Sequence, residues 1–490
     1  MTQHPTQTSG LRAWAAEARA TLALGWPIAL TNLAEMAITT TDVLMMGWLG
    51  PDELAAGTLG ANLFYAFFVI GMGLALGTAP VMAQALGRRR HAVRELRSTV
   101  GQGFLLSLLY VLPVWALMWQ ARPILEFLGQ DPALTAATEG YVRALQWGVL
   151  PALMFVVLRA FVSSLERPGP ALVVTALAIA LNAFVNWVLM FGKLGMPEMG
   201  IVGAGVSSTI ANCFMALGLL AYCAFDRRFR RYRLAGAAFR PDLARLKELL
   251  RVGAPISVGL GFEITVFNVA ALLMGLLGAT ALAAHAIAMQ VAAITFMVPM
   301  GMGQAGTVRV GLAAGRGDAA GVARAGWTAI GLGVGFMVAM AAALVAFPEP
   351  IVGAFLDLAD PGSAAVLELA AAFLGVAALF QVFDGAQATG SGALRGLKDT
   401  RVPMMIAGFG YWVLGVPLAA GLAFWAGLGG TGIWGGLALG LAAVASLMVG
   451  RWSRREALGL VPRRPGDQAS LPSTSSQPAI LQDPSGCASM

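Results

Sequence analysis

Twelve long apolar stretches, separated by short polar loops, pattern this chain. They cover residues 22–46, 56–84, 99–120, 140–163, 170–191, 200–223, 253–278, 284–311, 325–347, 366–391, 401–424 and 430–450. At 1.5 Å per residue in a helix, each is long enough to cross a hydrocarbon core about 30 Å thick. A closed β-barrel is the only other structure that spans a bilayer, and its short alternating segments are absent. The pattern predicts an all-α polytopic membrane protein.

The pattern is also written twice. Gly25, Pro27, Ile28 and Glu35 return 228 residues later as Gly253, Pro255, Ile256 and Glu263. Met46-Gly47-x-Leu49-Gly50 returns as Met274-Gly275-x-Leu277-Gly278, Met72-Gly73 as Met300-Gly301 and Gly87-Arg88 as Gly315-Arg316. Without a gap, 18 of the 64 positions from 25 to 88 are identical, where this composition gives about one in ten by chance. Six spans per repeat put both halves in the same orientation. The expectation is twelve transmembrane helices in two six-helix bundles, related by a pseudo-two-fold axis along the membrane normal with a cavity between them. The boundaries read as an N-tail (1–20), an N-terminal lobe (21–223), a linker (224–250), a C-terminal lobe (251–455) and a C-tail (456–490) rich in Ser, Pro and Gln and expected to be disordered.

Charge tests the span count. Of 32 Lys and Arg, 28 fall in tails, loops and span ends on one side of the membrane, from Arg12 and Arg19 through Arg88–Arg90 to the arginines after Arg451. The opposite loops hold only Arg122 and Lys193, together with Asp52, Glu53, Asp131, Asp357 and Asp360. The positive-inside rule then places both termini in the cytoplasm of a multi-pass inner-membrane protein. The same distribution explains the net charge of +7 without nucleic acid. Within the linker, Arg227–Arg233 is a basic run suited to phospholipid headgroups, and 241–250 reads as a short amphipathic surface helix. Residues 1–20 are too polar for a cleavable signal peptide. Cys213, Cys223 and Cys487 have no paired or metal-like spacing. The terminal Cys-Ala-Ser-Met fits a prenylation box poorly.

Four acids lie deep in spans: Glu35, Asp42, Glu263 and Asp384. Ionisable groups there are costly, and usually face water, a partner or a ligand. Asn32, Glu35, Thr39 and Asp42 fall within an arc of about 80° on the first helix, with Glu35 near the bilayer midplane. Asn182 with Asn186, and Ser208 with Asn212, are one turn apart on spans five and six and could meet that stripe. Carboxylate, amide and hydroxyl oxygens together suit a hard monovalent cation, while a lone buried carboxylate suits a proton. In the second half, span ten carries Gln381, Asp384, Gln387 and Ser391 on one face, with Glu263, His285 and Gln290 on spans seven and eight. A lone histidine such as His285 is more often a packed core residue than a relay. Pro299, in mid-span, is expected to kink span eight. The 23 Met and 24 Phe offer polarisable surface suited to varied apolar ligands. There is no phosphate-binding glycine loop, nucleophile elbow or zinc pattern, so the chain does not read as an enzyme and needs no cofactor.

Several runs are similar to one family. These are Pro27 with Asn32, the Thr41-Asp42 run to Gly50, Gly77-Thr78-Ala79 with Gln84–Gly87, Leu181-Asn182 with Asn186-Trp187, Pro255-Ile256 with Phe262-Glu263, and Gln381-x-x-Asp384 through Gly396. Over residues 20–455 the chain resembles the multidrug and toxic compound extrusion (MATE) family, in its bacterial NorM-like branch. The resemblance implies export of cationic or amphiphilic drugs in exchange for H⁺ or Na⁺ by alternating access, carried out by a monomer. It matches Asp42, Asn182, Asn186 and Ser208, with Glu35 beside them, to a cation site in the N-terminal lobe. Asp42, Asn182 and Asn186 would be the metal ligands if the coupling ion is sodium. Glu263 and Asp384, with Gln381 and His285, are matched to the C-terminal lobe. Three departures stand out: Asn186 where some relatives carry an acid, Phe380 where some carry tyrosine, and Glu35 where many carry glutamine. The competing readings are a lipid-linked oligosaccharide flippase, for which only Arg143 and Arg159 offer cavity charge, a metabolite exporter, a major-facilitator transporter and an intramembrane hydrolase.

Overall fold

The computed structural model describes residues 10–234, 241–356 and 363–461. The C-tail from 462, with Cys487, and the loop acids Asp357 and Asp360 lie outside the described residues. Among the described residues there are twelve helical spans: α1 (Gly10–Gly47), α2 (Pro51–Arg88), α3 (Ala92–Trp119), α4 (Pro132–Ser164), α5 (Gly169–Met190), α6 (Gly200–Phe225), α7 (Leu243–Leu276), α8 (Ala279–Gly315), α9 (Ala319–Ala346), α10 (Ala364–Gly396), α11 (Arg401–Trp425) and α12 (Gly429–Ser453). They form the two six-helix bundles expected from the repeat.

Each bundle has its own core. In the N-terminal lobe, Phe155, Phe161, Val157 and Met82 form one apolar cluster, and Met46, Met118, Leu153 and Met190 another. The C-terminal core centres on Phe373, Phe380, Trp434 and Trp452. The lobes meet where α1 crosses α8 and α2 crosses α7, and these two crossings exchange under the repeat. Hydrocarbon does not drive helices together, so close packing of small residues must. A Cβ on Gly73 would stand 2.6 Å from the Ser257 nitrogen, and one on Gly301 would stand 2.7 Å from the Ala29 nitrogen. Those four positions are two repeat-related pairs. Gly87 and Gly315 are each other's repeat partners, and a Cβ on either would stand 2.9 Å from the other's Cα. Equivalent residues can touch only at the symmetry axis, so this contact marks it.

Among the described residues, the apolar clusters that join the lobes lie along one half of the membrane. The apolar clusters that join them are Leu24, Ile28, Ala83, Ala305, Val308 and Leu312, then Val81, Leu106, Leu249, Val252 and Ile256, then Ala29, Val298 and Met302. All lie toward the arginine-rich loops. On the far side, Met45 and Met46 of α1 pack only into their own lobe, as do Val266, Ala270 and Met274 of α7. Two ionic clasps reinforce the closed face. Arg309 holds Glu17 through two bonds of 2.7 Å and also pairs with Glu166. Arg245 reaches Glu95 at 3.5 Å.

Two local expectations change. The segment 241–250 is not a separate surface helix: α7 begins at Leu243, capped by Asp242, and runs unbroken into the membrane. Pro255 lies inside that helix rather than at its start. Pro299 lies inside α8, which is helical from Ala279 to Gly315. α11 is irregular, with wide turns over Phe409–Gly415 and Gly421–Trp425. Such turns are common at functional sites.

Candidate cation and substrate sites

The tight hairpin of α5 and α6 builds the first site. Gly203 of α6 packs directly on the Leu189 backbone of α5, and the connecting loop needs positive φ at Gly192, Gly195 and Gly200. This close approach aims Asn182, Asn186, Ser207 and Ser208 at α1. Asp42 is 6% exposed. Its Oδ1 accepts from Asn182 Nδ2 at 3.0 Å and Asn186 Nδ2 at 2.6 Å, and its Oδ2 accepts from the Ser208 hydroxyl. Ser207 Oγ donates to the Asn182 carbonyl at 3.0 Å and orients that residue. Tyr141 lies within electrostatic reach of Asp42.

Three donors converge on one buried carboxylate, so both of its oxygens are engaged as acceptors. Asn186 Oδ1 is buried with no hydrogen-bond partner among the described residues. Half-turns of the two amides would present their oxygens beside the carboxylate and the Ser208 hydroxyl. The donor set therefore suits a bare monovalent cation or a proton on Asp42. Among the described residues there is no group of three or more His, Cys, Asp or Glu side chains that could hold a metal ion.

The first-helix stripe divides in two. Glu35 does not enter the Asp42 ring. Its Oε1 accepts from Arg159 Nη1 of α4 at 2.8 Å, and the same nitrogen donates to Asn32 Oδ1 at 3.1 Å. Seven residues of helical rise, about 10 Å, separate Glu35 from Asp42. Thr39 is exposed, and Asn212 of α6 lies beside Gly148 rather than at Asp42.

The C-terminal lobe has no matching ring, because the repeat places Ala270 where Asp42 would be. Glu263 lies within electrostatic reach of Asp384 and Arg395, and Tyr411 of α11 is within reach of both acids. Tyr411 thus brings a phenol to the lobe where Phe380 offers none. Asp384 makes no hydrogen bond among the described residues. Both amide atoms of buried Gln381 also lack partners, as do Gln387 Oε1, His285 Nδ1 and Trp434 Nε1. His285 packs 5.5 Å from the Trp434 ring, which also carries Phe380 edge-on at 5.6 Å. Orphaned buried polar atoms at this density mark a place that takes water or a ligand. Tyr65 of α2 is half exposed and within electrostatic reach of both Glu35 and Glu263, one glutamate from each lobe. Where the lobes close, Arg159 and Arg395 line one inter-lobe cavity with Ile28, Val156, Gln304 and Val308.

Comparison with known proteins gives consistent matches. The MatE family model matches residues 27–188 and again 255–420, once per repeat. A probable multidrug resistance protein NorM of Mesorhizobium japonicum is 54% identical over 443 residues, covering 90% of this chain and 95% of that one. A protein of the same description from Brucella suis is 48% identical, covering 92% and 96%. The crystal structure of the eukaryotic MATE transporter AtDTX14 superposes with a TM-score of 0.81 at 19% identity, covering 91% of this chain and 98% of that one. A MOP superfamily transporter from Pyrococcus furiosus superposes at 0.79 with 21% identity, covering 93% and 99%. At such identities these two structures speak for the fold alone.

Proposed function

The chain belongs to the MATE family, in its bacterial NorM-like branch, and from that premise we propose that it is a multidrug efflux antiporter of the bacterial inner membrane, with both termini cytoplasmic. It exports cationic or amphiphilic compounds in exchange for H⁺ or Na⁺. It acts as a transporter rather than an enzyme.

The observation that carries the reading is Asp42, a carboxylate buried in a ring of donors inside one lobe of a molecule whose lobes are joined by apolar clusters along one half of the membrane. With the arginine-rich face cytoplasmic, this conformation opens outward. A cation or proton arriving from outside takes Asp42, while Glu263 and Asp384 offer a second pair of carboxylates beside Tyr411. Neutralising these groups removes their attraction for a cationic drug, which leaves into the open cleft. The exchange is reciprocal, because each ligand lowers the other's affinity by the same factor. Gln381 and Trp434 supply unpaired polar atoms and an apolar wall for varied drugs.

The flippase alternative needs free cationic charge in the cavity to meet pyrophosphate. Arg159 is engaged by Glu35, and Arg395 faces Glu263, which counts against it.

The test is dye export from liposomes under an imposed ion gradient. Asp384→Asn is expected to lower the rate at least tenfold, within the range of coupling energies of about 1–3 kcal/mol, with the protein still folded by size-exclusion profile. Undiminished export by Asp384→Asn would remove the C-terminal acids from the mechanism.

A further inference from the structure

Arg159 is a strongly buried cation that the exchange mechanism does not use. Its side chain is 5% exposed, and Glu35, which it holds at 2.8 Å, is 32% exposed. The carboxylate is the more exposed partner, and the guanidinium lies buried behind it in α4, where it also borders the inter-lobe cavity. The Phe155 ring lies 6.0 Å from the guanidinium carbon, and Asn32 accepts a further bond from the same nitrogen. This is a built pair, with the acid more exposed than the base.

The charges can be taken lobe by lobe. The N-terminal lobe offers Glu35 and Asp42 against Arg159. The C-terminal lobe offers Glu263 and Asp384 against Arg395, with Tyr411 near both acids, and Tyr65 and Tyr141 of the N-terminal lobe are the other titratable groups within electrostatic reach of these acids. Arg159 therefore cancels the charge of one of the two acids of this lobe, and does so from a buried position.

We propose that Arg159 is a specificity-determining residue that sets the charge preference of the cleft, holding the N-terminal lobe at one net negative charge so that singly charged cations are exported in preference to doubly charged ones. A substrate feels the field in proportion to its own charge. Loss of the guanidinium strengthens attraction for any cation, and for a dication twice as much in free energy. Retention also rises, so release of a dication becomes the slow step. A merely structural arginine would alter stability and total rate, and would leave the ratio between the two substrates unchanged.

The inference rests on the export reading, and the experiment separates the two. Protein in liposomes is assayed with tetraphenylphosphonium, a monocation, and with benzyl viologen, a dication. Wild-type protein exporting neither would overturn the export reading itself. Arg159→Gln is expected to lower the KM for the dication relative to the monocation by roughly five- to tenfold, the effect of one unit charge at about 10 Å with an effective dielectric near 30. Arg159→Lys is expected to keep the wild-type ratio. Glu35→Gln leaves the guanidinium unopposed and is expected to shift the ratio the opposite way by a similar factor. The double variant Glu35→Gln with Arg159→Gln returns it to the wild-type value. If Arg159→Gln does not reach the membrane, the Glu35→Gln and double-variant pair still reads the effect. A ratio that stays within twofold of wild type in every variant that exports the monocation overturns the proposal.

Discussion

Asp42→Asn is expected to reduce gradient-driven dye export by roughly 100-fold or more, the upper range of measured coupling between two ligands. The fold can survive the change. Asn182 and Asn186 can present oxygen instead of nitrogen after a half-turn, and the Ser208 hydroxyl can rotate to accept. Repairing the ring costs about 1–3 kcal/mol, the price of one imperfectly satisfied buried group. The charge cannot be repaired, because no other acid lies within the ring: Glu35 is bound to Arg159 and Glu263 belongs to the other lobe. Ser208→Ala provides the scale. It removes one charge-assisted bond of about 1.5–3 kcal/mol and keeps the carboxylate, so its loss of export should be much smaller. Rates in liposomes, normalised to folded protein, check both. Export by Asp42→Asn within a few-fold of wild type would mean that the ring is only a helix-packing device.

Gly315→Val is expected to abolish export with every acid left in place. Its Cβ would meet the Gln84 carbonyl and stand 2.9 Å from the Gly87 Cα. Both are backbone, so no side chain can move aside, and the added branches have no room at the axis. Overpacking of this kind costs about 1–3 kcal/mol, and more where backbone must shift. The strain acts only while the arginine-rich face is closed, so the equilibrium moves toward the state with that face open. Each 1.4 kcal/mol is a tenfold change in that population. The check uses a background with the native cysteines replaced and Ala305→Cys introduced. Ala305 is fully buried in the inter-lobe contact. Labelling of this cysteine by an impermeant maleimide from the arginine-rich side should accelerate roughly tenfold or more in Gly315→Val. Unchanged labelling together with unchanged export would show that the glycine contact does not govern closure.

Much of this was legible in the sequence because membranes impose simple rules. A spanning helix needs a long apolar run, which counted the spans, and the ungapped repeat paired Gly73 with Gly301 and Gly87 with Gly315 before any contact was known. The Asp42 ring was legible because its members recur at helical spacing on α1, α5 and α6. What was hidden depends on rotation between helices, which periodicity within one helix does not carry. Nothing in the spacing of α1 says that Glu35 turns toward α4 while Asp42 turns toward α5 and α6. Arg159 stood out as a charge within a span, yet its partner did not. Ser207, adjacent to the expected Ser208, orients Asn182 through a backbone bond that no side-chain pattern signals. Tyr411 reaches the acids of the C-terminal lobe from α11, whose wide turns break the helical phase on which such a reading relies. Asp242 and the leucines after it read as a surface helix because an amphipathic segment ahead of a span looks the same whether or not the helix continues.

In the proposed exchange, ion and drug compete for the same carboxylates. This competition is tested most directly by saturating the purified protein with tetraphenylphosphonium and measuring what is released, as protons in weakly buffered solution or as bound ²²Na⁺. The account predicts stoichiometric release of one or the other from wild-type protein, and its loss in the Asp42→Asn, Asp384→Asn double variant. Dye binding that displaces neither ion, or that displaces as much from the double variant as from wild type, would contradict it.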